Sequence, residues 1–596
     1  MHTTRPPSPQ GRQKLALLKD AWGLTRPYFV SEEKTKAWGL LAAIVLLNLA
    51  AVFMLVQINE WNRVFYDALQ NKQSAVFWQQ LWRFLWLALV YIVIAVYKFY
   101  LTQLLQLNWR RWLTGHLLQR WLVHQAFYRL ELGRYGLDAA GGQVPDNPDQ
   151  RIQEDLNLFT SYTVTLAMGL LNACVTFASF VGILWGLSAA MDLGLPQLLG
   201  GGVLQIPGFM VWMAVLYCLA GSAITFCIGK SQVGLNKRQQ LLEANFRHHM
   251  IRVREHAEAI ALDGGERVEG SQLTLRFSDA LANYLQLLKT QKRLVWFTNF
   301  FGQAAVVFPF LIAAPRFFSG AIQLGQLMQI ASAFNQVQDA LSWIVNNYPD
   351  IAAWRATTER LDRFDRSLQA QAEQGGVQLQ DAPAVHAQAL EVRLPQGQLL
   401  LQQSDLRVQP GDSVLVSGPS GGGKSTLLRS LAGIWPYAKG QVARPQDAMF
   451  VPQRPYLPEG SLRAALAYPE AVERYTDTQL QQALRDAELP GLAAELDRQS
   501  AWNAVLSGGE QQRLALARVF LKRPAWVWVD EGTSALDGPA EALLYQRLRE
   551  LVAQRGGALV SVAHRDSVRA FHRTQWQLQP GQHRVQVHTV AEAVRP

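Results

Sequence analysis

Gly418–Ser425 reads GPSGGGKS and fits G-x-x-x-x-G-K-[ST]. In a strand–loop–helix setting, such glycines let backbone N–H groups turn inward around phosphate oxygens. Lys424 then reaches the outer phosphates, and the Ser425 hydroxyl can hold Mg²⁺. Further along, AWVWVDE (525–531) reads as a buried strand ending in Asp530, placed to organise Mg²⁺, and then Glu531. A carboxylate directly after the metal aspartate can polarise the water that attacks a γ-phosphate. Leu506–Gln511, LSGGEQ, opens a helix, and its Ser-Gly-Gly is a second phosphate-binding N-terminus. One nucleotide cannot use both sites within one domain, so the second loop must serve a neighbouring copy. The glycine loop alone would leave room for a kinase or a GTPase.

Other elements narrow the choice. The glycine loop, LSGGEQ, Asp530 with Glu531, SALD (Ser534–Asp537) and His564 in SVAHR follow one another, and Gln453 sits in VPQRP. In that order they resemble the nucleotide-binding domain of an ABC transporter, over about residues 389–580. The resemblance implies that Gly418, Pro419, Ser420, Gly421, Gly422, Gly423, Lys424, Ser425 and Thr426 bind ATP phosphates. It implies that Ser425, Gln453 and Asp530 attend Mg²⁺, that Glu531 is the catalytic base and that His564 is the switch. By the same resemblance Gln453 would also sense the γ-phosphate and couple to the membrane domain. Ser507, Gly508, Gly509 and Glu510 close on the ATP of a partner in a homodimer. One position departs from the family: Leu394 stands where an aromatic commonly stacks on adenine. Arg393 or another side chain covers the base, base selectivity is loose, or Leu394 is a strand residue and the stacker lies elsewhere.

The elements that must carry this chemistry extend far upstream. A chain of 596 residues is too long for one core, and 17% charged residues is low against the roughly 25% of soluble domains. The apolar excess lies before about Tyr348, in six segments near the length that crosses a bilayer: 37–58, 81–103, 161–188, 209–229, 294–318 and 325–347. Lys and Arg gather before the first span (Lys34, Lys36), after the second (Arg110, Arg111), after the fourth (Lys237, Arg238) and after the sixth (Arg355, Arg360), while 189–208 has none. The positive-inside rule then puts the N-terminus and the C-terminal half in the cytoplasm of a cell whose inner membrane holds the spans. It also accounts for much of the +10 net charge, which argues against a nucleic-acid partner. The first apolar run reads as an anchor and not as a cleavable signal. Cys174, Cys218 and Cys227 all fall inside spans, so no disulfide framework is implied. The expected domains are a segment 1–36, a six-helix membrane domain 37–366 with an exporter-like ABC fold, a linker 367–388, and an α/β P-loop domain 389–596.

Three membrane stretches say more. NPDQRIQEDL (147–156) resembles a motif of peroxisomal subfamily D transporters and of the bacterial SbmA/BacA family, and EAIALDGGERVE (258–269) resembles the EAA-like loop of both. WNRVFYDALQ, from Trp61, together with NWRRWLT (108–114), resembles the SbmA/BacA family more closely, which implies an outer vestibule and uptake of peptides or cobalamin-like solutes. Trp61, Phe65 and Tyr66 would equally anchor helix ends at the membrane interface. In the sixth span Ser332, Asn335, Asp339, Ser342 and Asn346 recur at three- and four-residue spacing, on one helical face. Polar side chains facing lipid are costly, so the stripe faces a water-filled cavity or another helix. The expected activity is ATP-driven import of a hydrophilic solute. The alternatives are a lipid or acyl-CoA transporter, an exporter of hydrophobic compounds, and an ATP-gated channel.

Overall fold

The computed structural model describes residues 9–140, 147–188, 191–194, 203–373 and 375–590. The apolar runs fold as helices because a chain in hydrocarbon must satisfy its N–H and C=O groups within each segment. In order they are α1 (Pro9–Val30), α2 (Lys34–Gln70), α3 (Ser74–Leu122), α4 (Ala126–Ala140), α5 (Leu156–Leu187), α6 (Phe209–Glu255), α7 (Ala257–Asp263), α8 (Glu266–Phe318), α9 (Leu324–Asn346) and α10 (Tyr348–Glu373). Contacts divide the chain into a first unit, Met1–Leu117 with Pro148–Arg363, and a second, Leu118–Asn147 with Phe364–Pro596.

Among the described residues, the helical runs built on α2, α3, α5, α6 and α8 are long and apolar enough to cross a membrane. The expected sixth span, α9, forms but does not reach that apolarity, and packing explains why. It lies against α2, α5, α6 and α8, burying Ile330, Ala333, Phe334 and Val337, so it can carry amides that a lipid-facing helix could not.

The stretch Glu60–Lys72 forms the last turns of α2, and its two faces do different work. Trp61 stacks on Phe65 at 4.8 Å, lies 4.6 Å from Phe84, and donates from Nε1 to the Gln80 carbonyl at 2.8 Å. These aromatics pack α2 against α3. The polar face holds the start of α9: Asp67 Oδ1 accepts the Gly325 N–H at 2.8 Å and Gln70 Oε1 accepts that of Leu324 at 2.7 Å. A carboxylate there satisfies orphan donors and favours the helix dipole. Asn59 and Glu60 add bonds to the Gln329 carbonyl and side-chain amide at 3.1 Å each.

NPDQRIQEDL has a structural role as well. It enters α5 through a π-type turn, Arg151–Asp155, and buries Asp155 between Arg151 and Arg360, whose Nη2 lies 2.6 Å from the carboxylate. A buried carboxylate needs such partners.

In the second unit two large sheets form, besides a short antiparallel pair of 460–461 with 499–500. Strands β1 (Gln378–Asp381), β2 (Val385–Arg393), β3 (Leu399–Val408) and β5 (Ala438–Arg444) make one, in the order β1-β5-β2-β3. The other runs β10-β9-β4-β8-β7-β6, from β4 (Ser413–Ser417), β6 (Ala448–Val451), β7 (Trp526–Asp530), β8 (Ala558–Val562), β9 (Thr574–Gln579) and β10 (Arg584–Thr589). All its pairs are parallel except β9 with β10. Parallel strands are covered on both faces, so β7 is buried along almost its whole length, with Trp528 stacked on Phe450 at 5.2 Å. The stretch 367–388, expected as a linker, holds the end of α10, all of β1 and the start of β2. Leu361, Phe364 and Leu368 extend the helical period into it, and Val385 and Ala387 begin a strand alternation. Residues 118–147 also group with this unit, where Leu132 of α4 packs on the core and Arg129 donates to the Gln371 carbonyl at 3.0 Å.

Gly325 tests the clasp between α2 and α9. A Cβ there would lie 2.0 Å from the Arg63 carbonyl oxygen, a backbone atom that cannot swing aside. Gly325→Ala is expected to destabilise the first unit by about 1–3 kcal/mol, read as a lower melting temperature of the detergent-purified chain. Gly320→Ala, where a Cβ meets nothing within 4 Å, serves as a comparison carrying only the strain of its own φ of +76°.

Candidate functional site

Lys424, Ser425, Gln453, Asp530, Glu531 and His564 lie at or just beyond the ends of parallel strands, at the carboxyl edge where α/β sheets bind ligands. The loop 418–423 follows β4 and runs into the helix α11 (Lys424–Leu431). Gly421 and Gly423 take φ of +73° and +89°, which side chains resist, and a Cβ on Gly423 would press on Leu400 at 3.0 Å. Lys424 is buried, its Nζ donating to the carbonyls of Gly418 and Pro419 at 3.1 and 3.0 Å. Burial lowers its pKa, opposed by the charges of Glu531 and Asp530. Thr426 is buried beneath the loop.

Asp530 ends β7, and its Oδ1 accepts the Ser425 hydroxyl at 2.8 Å. Burial raises the Asp530 pKa. A hydroxyl and a carboxylate held together in a partly dehydrated site are the oxygen donors a hard divalent cation takes, so these residues fit Mg²⁺. Glu531 then turns out of the strand at φ +50°, rare for a residue with a side chain. One carboxylate oxygen accepts Gln453 Nε2 at 2.7 Å, and the other lies 2.9 Å from His564 Nε2. Gln453, Lys424, Ser425, Asp530, Glu531 and His564 are thus brought into one linked group.

Ser507, Gly508, Gly509 and Glu510 sit apart from that group. They begin helix α12 (Gly508–Lys522), and their polar contacts are largely among themselves. Ser507 Oγ and N donate to Glu510 Oε2 at 2.7 and 2.9 Å, closing a capping box. The hydrogen bonds from Ser507 hold the Glu510 pKa below the usual carboxylate range. Gly509 lies close to the Ala535 carbonyl, where a Cβ would approach to 3.1 Å.

Leu394 is partly buried against the core of the second unit. Arg393 is held by Glu391 at 2.6 Å and by the Gly397 carbonyl at 3.2 Å, which leaves it poorly placed to cover a base. In the first unit Ser332, Asn335, Asp339 and Asn346 keep exposed surface, and their side chains make no hydrogen bond among the described residues. Ser342 faces Cys218 of α6.

One residue escaped the sequence reading. Gln512 of α12 is buried, and its side chain bonds to the loops that carry Gln453, Glu531 and Ser534. The signal was present: Ala515, Leu516 and Val519, at three, four and seven residues beyond it, are all buried, so helical period puts Gln512 on the inner face.

The chain matches the family described as ABC transporter transmembrane region 2 over residues 24–318, and the ABC transporter family over 401–534. It is 32% identical to the inner membrane ABC transporter ATP-binding protein YddA of Escherichia coli (strain K12), over 91% of this chain and 94% of that one. It is 32% identical to the chloroplastic ABC transporter D family member 2 of Arabidopsis thaliana, over 95% and 87% of the two chains. The lysosomal cobalamin transporter ABCD4 of Homo sapiens is 26% identical over 89% of each. Among solved structures, a bacterial Atm1-family ABC exporter with ATP bound shares the fold, with a TM-score of 0.70 at 17% identity, covering 94% of this chain and 96% of that one.

The capping box gives a pH signature. Because its pKa is depressed on folding, ionised Glu510 contributes stability above the unfolded carboxylate pKa of 4.5, and that contribution is lost as pH falls through the folded value. Glu510→Gln keeps the hydrogen-bond pattern but not the charge. It is expected to cost a few tenths of a kcal/mol at neutral pH after solvent screening, and the gap in melting temperature from wild type should close in acid.

Proposed function

Because the chain belongs to the ABC transporters, of subfamily D type, we propose that it works as a homodimer importing hydrophilic solutes such as peptides or cobalamin-like compounds. Its ATPase domain hydrolyses ATP in step with transport, and its first unit spans a membrane. Glu531 acts as the base toward the attacking water, with Gln453 and His564 orienting its carboxylate. Lys424 and the N–H groups of 420–426 carry the phosphate charge. Mg²⁺, held by Ser425, Asp530 and Gln453, would neutralise charge building on the transferred phosphoryl group.

The observation that carries import of a hydrophilic solute is Asp339. It keeps exposed surface on a helix enclosed by four others, on the same face as Asn335 and Asn346, where a carboxylate persists only with water or a partner. The cobalamin named for the human relative and the peptides associated with the SbmA/BacA resemblance of WNRVFYDALQ are both hydrophilic cargoes. The second copy is supported by the α6–α8 pair, which packs on itself while leaving Leu241, Phe277 and Leu281, outside the expected spans, exposed. Large apolar surfaces of this kind call for cover. Charge bias around the spans supports an inner-membrane setting with the N-terminus and the ATPase domain in the cytoplasm.

Purified chain in vesicles of known orientation separates the parts of this reading. Lys424→Ala is expected to abolish ATP turnover, and Glu531→Gln to lower it by about 100-fold or more while ATP stays bound. Asp339→Leu is expected to impair uptake of a peptide or cobalamin probe with basal ATP hydrolysis and the dimer retained. Normal uptake by that variant would remove the stripe from the substrate path.

A further inference from the structure

Glu531 is held from several sides, and one of its supports comes from an unexpected place. Gln512 lies five residues beyond Ser507 on α12, the helix whose start is proposed to meet the ATP of a partner chain. Only 5% of Gln512 is exposed. Its Oε1 accepts the Ala535 N–H at 2.9 Å, and its Nε2 donates to Ser534 Oγ at 3.1 Å. The same Nε2 faces the carbonyls of Glu531 and Gln453 at 3.3 and 3.4 Å. One amide therefore touches the turn after Glu531, the Glu531 backbone itself and the backbone of Gln453, whose side chain holds the Glu531 carboxylate.

The Glu531 backbone needs such support. At φ +50° it is strained, and it is tied on its N–H side to the Val562 carbonyl at 3.0 Å and on its carbonyl side by the Ser534 N–H at 3.1 Å. Gln512 adds the link from that strained residue to α12. We infer that Gln512 is a positioning residue for hydrolysis, which sets Glu531 of its own chain according to where α12 stands. Since α12 starts with the residues proposed to close on the partner's ATP, the state of one ATP site then reaches the catalytic carboxylate of the other through a single buried side chain. This rests on Glu531 being the base and on composite sites between two chains.

Gln512 borders an open cleft of about 450 Å³ with Gln453, Asn503 and Ser534, so water can replace the bonds of an altered side chain and the fold survives. Gln512→Leu is expected to lower kcat for ATP about tenfold or more with KM changed less than about threefold, because misplacing a base costs rate while Lys424 and its loop still bind. Gln512→Glu keeps the acceptor for Ala535 and should fall between.

Mixed dimers of differently tagged chains give the deciding comparison. One chain carries Lys424→Ala, leaving a single working glycine loop. Gln512→Leu is then placed either on the chain with intact Lys424, beside the working Glu531, or on the Lys424→Ala chain. The loss is expected to be at least about fivefold greater in the first arrangement. Equal losses, a greater loss in the second, or wild-type kcat in the Gln512→Leu homodimer would overturn the inference. If Gln512→Leu fails to assemble, Gln512→Glu carries the same comparison. Wild-type turnover by Glu531→Gln would instead defeat the role given to Glu531, and full turnover by a monomer would defeat the composite site.

Discussion

Glu531 leaves a buried strand at a backbone angle that costs a residue with a side chain about 1 kcal/mol or more. The turn is what lifts its carboxylate out of the sheet, since continuing the strand would alternate the side chain into the core beside Val527 and Val529. Holding that angle needs partners for both backbone groups and both carboxylate oxygens. They come from the ends of β6 and β8, from the turn after β7, and from α12. The order of strands in the sheet follows from this need. β7 must lie between β6, which delivers Gln453, and β8, which delivers His564, and it does. Lys424 and Ser425 arrive one strand further along, from β4, with Ser425 joined to the group through Asp530.

A comparable logic governs the first unit, with lipid in place of water as the surrounding solvent. A helix enclosed by other helices escapes the requirement for apolar surface, and α9 uses that freedom for amides and a carboxylate. Enclosure creates its own requirement, because the start of α9 carries N–H groups with no partners in the helix. Asp67 and Gln70 supply acceptors from the last turns of α2, and Gly325 lets the two backbones come close enough for them to reach. The polar and aromatic residues of Glu60–Lys72 are then explained together, one face closing on α3 and the other on α9.

The linked group around Glu531 was legible because its residues lie in short contiguous motifs whose spacing is set by a strand, a turn and a helix. Lys424, Asp530, Glu531, Gln453 and His564 needed no knowledge of what faces them. Gln512 and Gly325 were not legible in the same way. Their importance lies in groups far along the chain: the carbonyl of Arg63 for Gly325, and the Ser534–Ala535 turn for Gln512. The 367–388 stretch reads as a linker for a different reason: its glycine pair follows a helix end and its proline separates a four-residue strand from the next, so no one period runs through it. Hydropathy found α9, but only its neighbours explain how a helix with so many amides belongs in a membrane domain.

Ser507 adds a constraint on how two copies can share a nucleotide. Its hydroxyl and N–H already serve the Glu510 carboxylate, at the helix start where a partner's phosphate would have to sit. Two like charges about 4 Å apart near a protein surface repel by roughly 4 kcal/mol, so phosphate and carboxylate cannot both occupy that terminus. Binding there would be an exchange: Glu510 gives up Ser507 and turns to solvent or to Arg513, whose charge already acts on it. The gain on closing is then the difference between two charge-assisted sets of hydrogen bonds and not the full worth of one. A closure held by that difference would reverse more readily once the γ-phosphate is gone than one held by the full worth of the phosphate's hydrogen bonds.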